Sequence, residues 1–128
     1  LHPTVYAELL ADKIRKHNST VWLLNTGWTG GPYGEGHRMK LGYTRQMLSE
    51  ALNGNLDDAT FKIDDVFGLA TPTEIDEIPN DILFPRNTWD DKDAYDEKAD
   101  KLAEMFAENF EQFEEEASQE LIKAGPKV

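Results

Sequence analysis

Apolar positions recur at helical spacing from the start of the chain. Tyr6, Leu9, Leu10 and Ile14 share one face, and Glu8, Asp12, Lys13 and Lys16 point elsewhere. The spacing predicts a helix over 3–17. Pro3 suits its first position, the basic residues Lys13, Arg15, Lys16 and His17 suit its negative end, and Asn18-Ser19 stops it. Residues 20–26, from Thr20 through Val21, Trp22, Leu23 and Leu24 to Thr26, form a nearly unbroken apolar run instead. That is the pattern of a strand covered on both faces. A helix followed at once by a buried strand argues for a layered α/β or α+β fold.

Further along, a second helix is expected from Tyr43 or Thr44 through Met47, Leu48, Ala51 and Leu52, with Asn53-Gly54 as its stop. Residues 60–71 alternate in part. Phe61 and Ile63, then Val66 to Ala70, read as two short strands with a turn at Asp64-Asp65. Pro72, Pro79 and Pro85 punctuate an extended, irregular stretch. A long helix opens near Asp90 or Asp91, and acidic residues suit its first turn. Its apolar stripe runs Tyr95, Ala99, Leu102, Met105, Phe106, Phe110 and Phe113, a packing face rather than a cofactor box. Glu114-Glu115-Glu116 lies where acids oppose the helix dipole, so the helix breaks or turns there. Residues 117–124 form a last short helix that Gly125-Pro126 ends.

Composition narrows the class. A chain of 128 residues is expected to form one domain, 1–128, large enough to bury a core. It has no cysteine, which excludes disulfides, thiolate chemistry and Cys-ligated metal sites and fits a reducing, cytoplasmic setting. No apolar run is long enough to cross a membrane. No signal-peptide pattern is visible, and a start at Leu1 without Met reads as a processed chain or a part of something longer. The net charge of −12 makes nucleic acid and anionic membranes poor partners. The charge is uneven: residues 1–45 carry +3, residues 46–87 carry −7 and residues 88–128 carry −8. An anionic ligand would therefore look to the first third, and the acidic segments read as solvated faces.

That first third holds a glycine-rich loop. Five of the ten residues from Gly27 to Gly36 are glycine, and the basic residues His37, Arg38 and Lys40 follow. Glycine permits positive φ and close approach of backbone to a ligand. The same composition also suits a plain surface hairpin. An apolar run, a glycine loop, a basic cluster and a helix start in succession are what an anion or nucleotide site needs. Neither a Gly-x-x-x-x-Gly-Lys-Ser/Thr nor a Gly-x-Gly-x-x-Gly string occurs. His2, His17 and His37 form no metal-ligand pattern, and Ser19, Ser49 and Ser118 sit in no nucleophile elbow. Glu97 and Asp100, three apart on the long helix, are a candidate pair for a divalent cation completed by water, set against a solvated helix face.

Asn25 to Leu41, with its Thr-Gly-Trp-Thr-Gly-Gly-Pro-Tyr-Gly core, followed by Tyr43-Thr44-Arg45, resembles the nucleotide loop of ATP-dependent phosphoenolpyruvate carboxykinase. The likeness also covers Leu1-His2-Pro3-Thr4, Ala51-Leu52-Asn53-Gly54, Pro72-Thr73-Glu74, Asp81-Ile82-Leu83, Pro85-Arg86-Asn87-Thr88 and Ala124-Gly125-Pro126-Lys127. It therefore spans essentially the whole chain. The resemblance implies part of a mononucleotide-binding domain with a mixed sheet and flanking helices, the C-terminal portion of the enzyme. The family converts oxaloacetate and ATP into phosphoenolpyruvate, carbon dioxide and ADP for gluconeogenesis, with Mg2+ and Mn2+. By resemblance Arg38, Met39 and Thr44 contact the nucleotide, and Glu97 and Asp100 form a peripheral divalent site. His37 stands where the family is expected to carry Lys, and Glu35 adds a negative charge nearby.

The family's phosphate loop, its main metal ligands and its oxaloacetate-binding arginines do not occur in this sequence. The chain alone is therefore expected to be inactive, with the remainder of the same polypeptide as its partner. Two other readings stand beside this one: an acidic, non-enzymatic interaction domain that uses the Phe-rich helix, and the nucleotide-binding part of another P-loop-type kinase.

Overall fold

The computed structural model describes residues 2–128. Helix α1, Pro3–His17, forms where the periodicity requires it. Asn18 closes it in the left-handed conformation, φ 47°, with its N–H donating to the Ile14 carbonyl. Its apolar face is only partly covered: Tyr6, Leu9 and Leu10 are exposed and Ile14 is half-buried. The helix docks through its first turn. There the His2 ring lies 3.0 Å from a Glu116 carboxylate oxygen and edge-on to Phe113, and Thr4 is buried beside them.

Residues 20–26 form no strand. The segment pairs with no neighbour, and Val21, Leu23 and Leu24 are exposed. The apolar run satisfies the side-chain requirement of a buried strand, but a strand also needs a flanking backbone, and no segment among the described residues supplies one. Only Trp22 turns inward, stacking on Phe61 with ring centroids 6.0 Å apart.

Strands β1, Trp28–Thr29, and β2, His37–Arg38, pair antiparallel with Trp28 opposite Arg38 and Thr29 opposite His37. Helix α2, Leu41–Leu52, follows, beginning two or three residues before the expected start at Tyr43 or Thr44. Strands β3, Phe61–Ile63, and β4, Ala70–Pro72, form a second antiparallel pair in which Phe61 faces Pro72 and Ile63 faces Ala70. The turn between them is longer than the sequence suggests, and Val66 to Leu69 belong to it rather than to a strand. The Asp64 carboxylate accepts N–H bonds from Val66 and Phe67, and Gly68 takes φ 67°, so the chain resumes pairing only at Ala70. The architecture is α+β, and all strand pairing among the described residues is antiparallel.

The proline-punctuated stretch holds two single-turn helices, α3, Asn80–Leu83, and α4, Pro85–Thr88. Proline at a first helical position needs no N–H partner, so Pro85 starts a turn rather than preventing one. Helix α5, Lys92–Glu111, opens on Asp91, whose carboxylate accepts the Ala94 N–H at 3.0 Å. It ends before the three glutamates, which form a 3-10 turn, and the short helix α6, Gln119–Lys123, follows. The core sits between α2 and the segment after β4. Met47, Leu56, Ile75 and Ile78 are buried there, with Trp22, Met39, Tyr43, Ile82 and Leu83 packed around them. Helix α5 buries Ala99 and Ala103, but Leu102, Met105 and Phe106 of its apolar stripe are exposed.

Candidate functional site

The glycine loop is a closed structure, not a loose hairpin. From β1 it turns at Gly30, φ 78°, and Gly31, φ 147°, and it re-enters β2 after Gly34 and Gly36. The Pro32 carbonyl is the hub: it accepts the N–H groups of Glu35 and Gly36, each at 3.1 Å, and the Trp28 indole N–H at 3.1 Å. Tyr33 covers the Trp28 ring at 5.2 Å between centroids. Gly36 must be glycine on grounds of space, because a Cβ there would meet the Thr29 carbonyl, the Gly31 carbonyl and the Trp28 indole nitrogen.

The two residues Arg38 and Met39 leave this loop side by side. Arg38 is exposed on β2, opposite Trp28. Met39 is half-buried against the core, and its N–H donates to the Gly27 carbonyl at 2.6 Å, prolonging the hairpin. Its N–H is thus engaged within the hairpin. Thr44 is half-buried in the opening turn of α2, a helix that starts without a side-chain cap. Lys40 lies over the Tyr43 ring, 5.5 Å from its centroid.

The electrostatics of this region follow from what is missing around it. Ion pairs among the described residues join His2 to Glu116, Arg15 to Asp12 and Arg86 to Asp96. None involves Arg38, Lys40 or Arg45, so three cations within eight residues of chain stand without a carboxylate partner at the start of a helix. The positive helix end adds to their field. A cavity of about 610 Å³ opens elsewhere, beside the far end of α2. It is lined by Glu50, Asp58, Glu74, Asp76 and Glu77, a set that repels an anion.

A third element holds the loop from outside. Thr88, the last residue of α4, donates its hydroxyl proton to the Pro85 carbonyl at 2.7 Å. Its oxygen accepts the Gly30 N–H at 3.1 Å and lies 3.2 Å from the Thr29 hydroxyl. Helix α4 is tied to α5 in turn. Arg86 makes a two-pronged contact with Asp96 at 2.7 and 2.8 Å, and the Lys92 ammonium donates to the carbonyls of Asn87 and Trp89. The Arg86 guanidinium holds the Asp96 carboxyl below its usual range, and Asp96 raises Arg86 in return. Burial pushes the nearby Tyr95 phenol up, with the charges of Asp64 and Asp96 adding to the shift. Sequence reading missed Thr88 as a contact of the loop. Its partners lie 58 and 59 residues away, and no local pattern signals such a bond.

Glu97 and Asp100 are both exposed on α5, one turn apart. Among the described residues no three His, Cys, Asp or Glu side chains converge as a metal site would require. A divalent cation on this pair would take the rest of its shell from water.

Comparison with known proteins follows the same residues. The family model for phosphoenolpyruvate carboxykinase, in its ATP form, matches residues 1–81, a span that contains the glycine loop, Arg38, Met39 and Thr44. The chain belongs to the ATP-dependent phosphoenolpyruvate carboxykinase family. It is 53% identical over 126 residues to phosphoenolpyruvate carboxykinase (ATP) 2 of Salinibacter ruber and, equally, to the enzyme of Flavobacterium johnsoniae, each match covering 98% of this chain. It is 49% identical over its full 128 residues to the Thermus thermophilus enzyme. In each case the match covers 24% of the relative, so the chain spans about a quarter of the length of these carboxykinases. No helix among the described residues is long and apolar enough to cross a membrane.

Proposed function

We propose that this carboxykinase chain is the C-terminal nucleotide-binding portion of an enzyme that converts oxaloacetate and ATP into phosphoenolpyruvate, carbon dioxide and ADP, a step of gluconeogenesis in the cytoplasm. The observation that carries the reading is the trio Arg38, Lys40 and Arg45. They have no carboxylate partners, and they follow a closed glycine loop in a chain whose net charge is otherwise strongly negative. In this reading the Arg38 guanidinium stacks on the adenine ring and reaches a phosphate oxygen. The Met39 carbonyl meets the base edge, and the Thr44 hydroxyl, near the start of α2, exchanges a hydrogen bond with the nucleotide.

The chain's own residues bind and orient. Phosphoryl transfer needs a metal ion and a phosphate-gripping lysine to stabilise the charge of the transferred group, and these belong to the remainder of the polypeptide. The exposed apolar segment Val21 to Leu24 is then a strand that completes a mixed sheet with that remainder. Glu97 and Asp100 would hold a peripheral divalent cation with water filling the shell.

The test is titration with ATP, of this chain and of the whole-length enzyme, with and without Arg38→Ala. Losing a charge-assisted contact of about 1.5–3 kcal/mol weakens ATP binding by about 10- to 100-fold. Wild-type affinity in the Arg38→Ala protein sinks the assignment of that residue. Carboxykinase turnover by the 128-residue chain alone would contradict the division of labour. A second reading, an acidic interaction module, draws on the exposed Leu102, Met105 and Phe106 of α5. It requires partner capture that Phe106→Ala abolishes and ATP leaves unchanged.

A further inference from the structure

We propose that Thr88 is a positioning residue for the nucleotide site: its hydroxyl fixes the corner of the glycine loop and, through it, the strand that carries Arg38. This rests on the nucleotide reading of Arg38 and Thr44 given above.

A threonine hydroxyl has one proton to give and two lone pairs to accept with. The Thr88 proton goes to the Pro85 carbonyl at 2.7 Å. Its oxygen is therefore the acceptor for the Gly30 N–H at 3.1 Å and for the Thr29 hydroxyl at 3.2 Å, which makes Thr29 the donor of that pair. Every hydrogen-bonding capacity of the group is used, and two of its three bonds end on consecutive residues at the exit of β1. Thr29 is buried, so its hydroxyl has no ready exchange with water. The fit is steric as well. Gly30 takes φ 78°, and a Cβ there would lie 3.1 Å from the His37 ring and 3.6 Å from the Thr88 carbonyl, so the corner is packed between β2 and the end of α4.

The frame behind Thr88 is tied to α5 by several bonds. Arg86, two residues earlier, is clamped to Asp96 by two bonds, and Lys92 of α5 caps the carbonyls of Asn87 and Trp89 on either side of Thr88. The path runs from the 20-residue helix α5 to α4, from α4 to the Thr29-Gly30 corner, and across the β1–β2 register to His37 and Arg38. Arg38 itself is exposed and has no ion-pair partner, so the strand beneath it is what places its backbone. A loop this rich in glycine has many alternative conformations, and one external anchor at its corner selects among them.

The experiment compares Thr88→Val, which keeps the shape and removes the hydroxyl, with Thr88→Ser, which keeps the hydroxyl. Two quantities are read on the whole-length enzyme: hydrogen exchange at the Gly30 amide, and affinity for ATP by calorimetry. Thr88→Val is expected to speed Gly30 exchange by about 10-fold, the loss of about one net hydrogen bond, and to weaken ATP binding by up to the same factor, because binding must then restore the loop order that the anchor supplied. Thr88→Ser is expected to restore both. Unchanged Gly30 exchange in Thr88→Val overturns the anchor. Faster exchange with unchanged ATP affinity overturns the positioning role. Unchanged ATP affinity in Arg38→Ala removes the nucleotide reading of that residue, and the positioning role with it, while Gly30 exchange still reports the anchor. Should Thr88→Val fail to fold, Thr88→Ala removes the same hydroxyl and decides by the same comparison.

Discussion

Replacing Gly36 by alanine sets a single methyl group against the closed loop. The Gly36 backbone runs so close to the opposite arm that a Cβ would collide with the Thr29 carbonyl oxygen. It would also come to 2.8 Å from the Gly31 carbonyl and 2.9 Å from the Trp28 indole nitrogen. Two of these three atoms are backbone, which cannot swing aside as the tip of a flexible side chain does. Keeping the loop shut around the methyl is overpacking, at a cost of about 1–3 kcal/mol. The other route is to open the loop and give up the bonds that gather on the Pro32 carbonyl. Three donors sharing one acceptor are worth less than three separate bonds, so at roughly 1 kcal/mol for a full net bond this route costs about 2 kcal/mol.

The cheaper route sets the loss, and the folded state is expected to lose about 1–2 kcal/mol. Urea unfolding followed by circular dichroism reads this as a lower midpoint at unchanged slope. Gly42→Ala is the internal control. Gly42 lies within α2 with nothing within 4 Å of its would-be Cβ, so alanine there raises stability by up to about 1 kcal/mol. A Gly36→Ala protein that unfolds at the wild-type midpoint, beside a stabilised Gly42→Ala, would refute the close-packed loop.

Two further expectations concern the frame around the site. Met47→Ala empties the centre of the buried cluster under α2 and is expected to cost about 2–5 kcal/mol in urea unfolding, a loss below 1 kcal/mol contradicting its place in the core. Asp96 has a lowered pKa in the folded protein, so its contribution is complete above the unfolded value near ~4 and fades as pH falls through the lowered folded value. The stability gap between wild type and Asp96→Asn should therefore be flat at neutral pH and narrow only in acid; a gap that persists undiminished in strong acid rules out the Arg86 pairing as its source.

Much of the helical scaffold was legible because each of the longer helices advertises itself locally. The Tyr6–Ile14 stripe, the Asp91 cap and the glutamate run each fix a boundary without reference to anything distant. What failed depended on partners. Residues 20–26 have the composition of a buried strand, yet strand formation is a contract between two backbones, and composition reports on one. Val66 to Leu69 carry the apolar residues of a strand, but the Asp64 carboxylate binds the Val66 and Phe67 N–H groups and turns the chain instead. The short helices α3 and α4 were hidden by their prolines, which read as interruptions but stand at helix starts.

At the site, the charge distribution and the glycine loop both point to the first third of the chain. Arg38, Met39 and Thr44 came from family likeness rather than from spacing. Thr88 reaches the loop across nearly sixty residues and was legible from neither source as a contact.

The three tryptophans give the molecule its own optical gauges. Trp22 lies on Phe61 at the core, Trp89 meets Tyr95 where α4 joins α5, and Trp28 has its indole N–H bound to the Pro32 carbonyl and one ring face under Tyr33. Each ring thus belongs to a different region, and emission is sensitive to both the polarity and the hydrogen bonding of an indole. With the other two replaced by phenylalanine, Trp28 alone would register any rearrangement of the loop as a colour change, and the same light would separate motion there from loosening of the body that carries it.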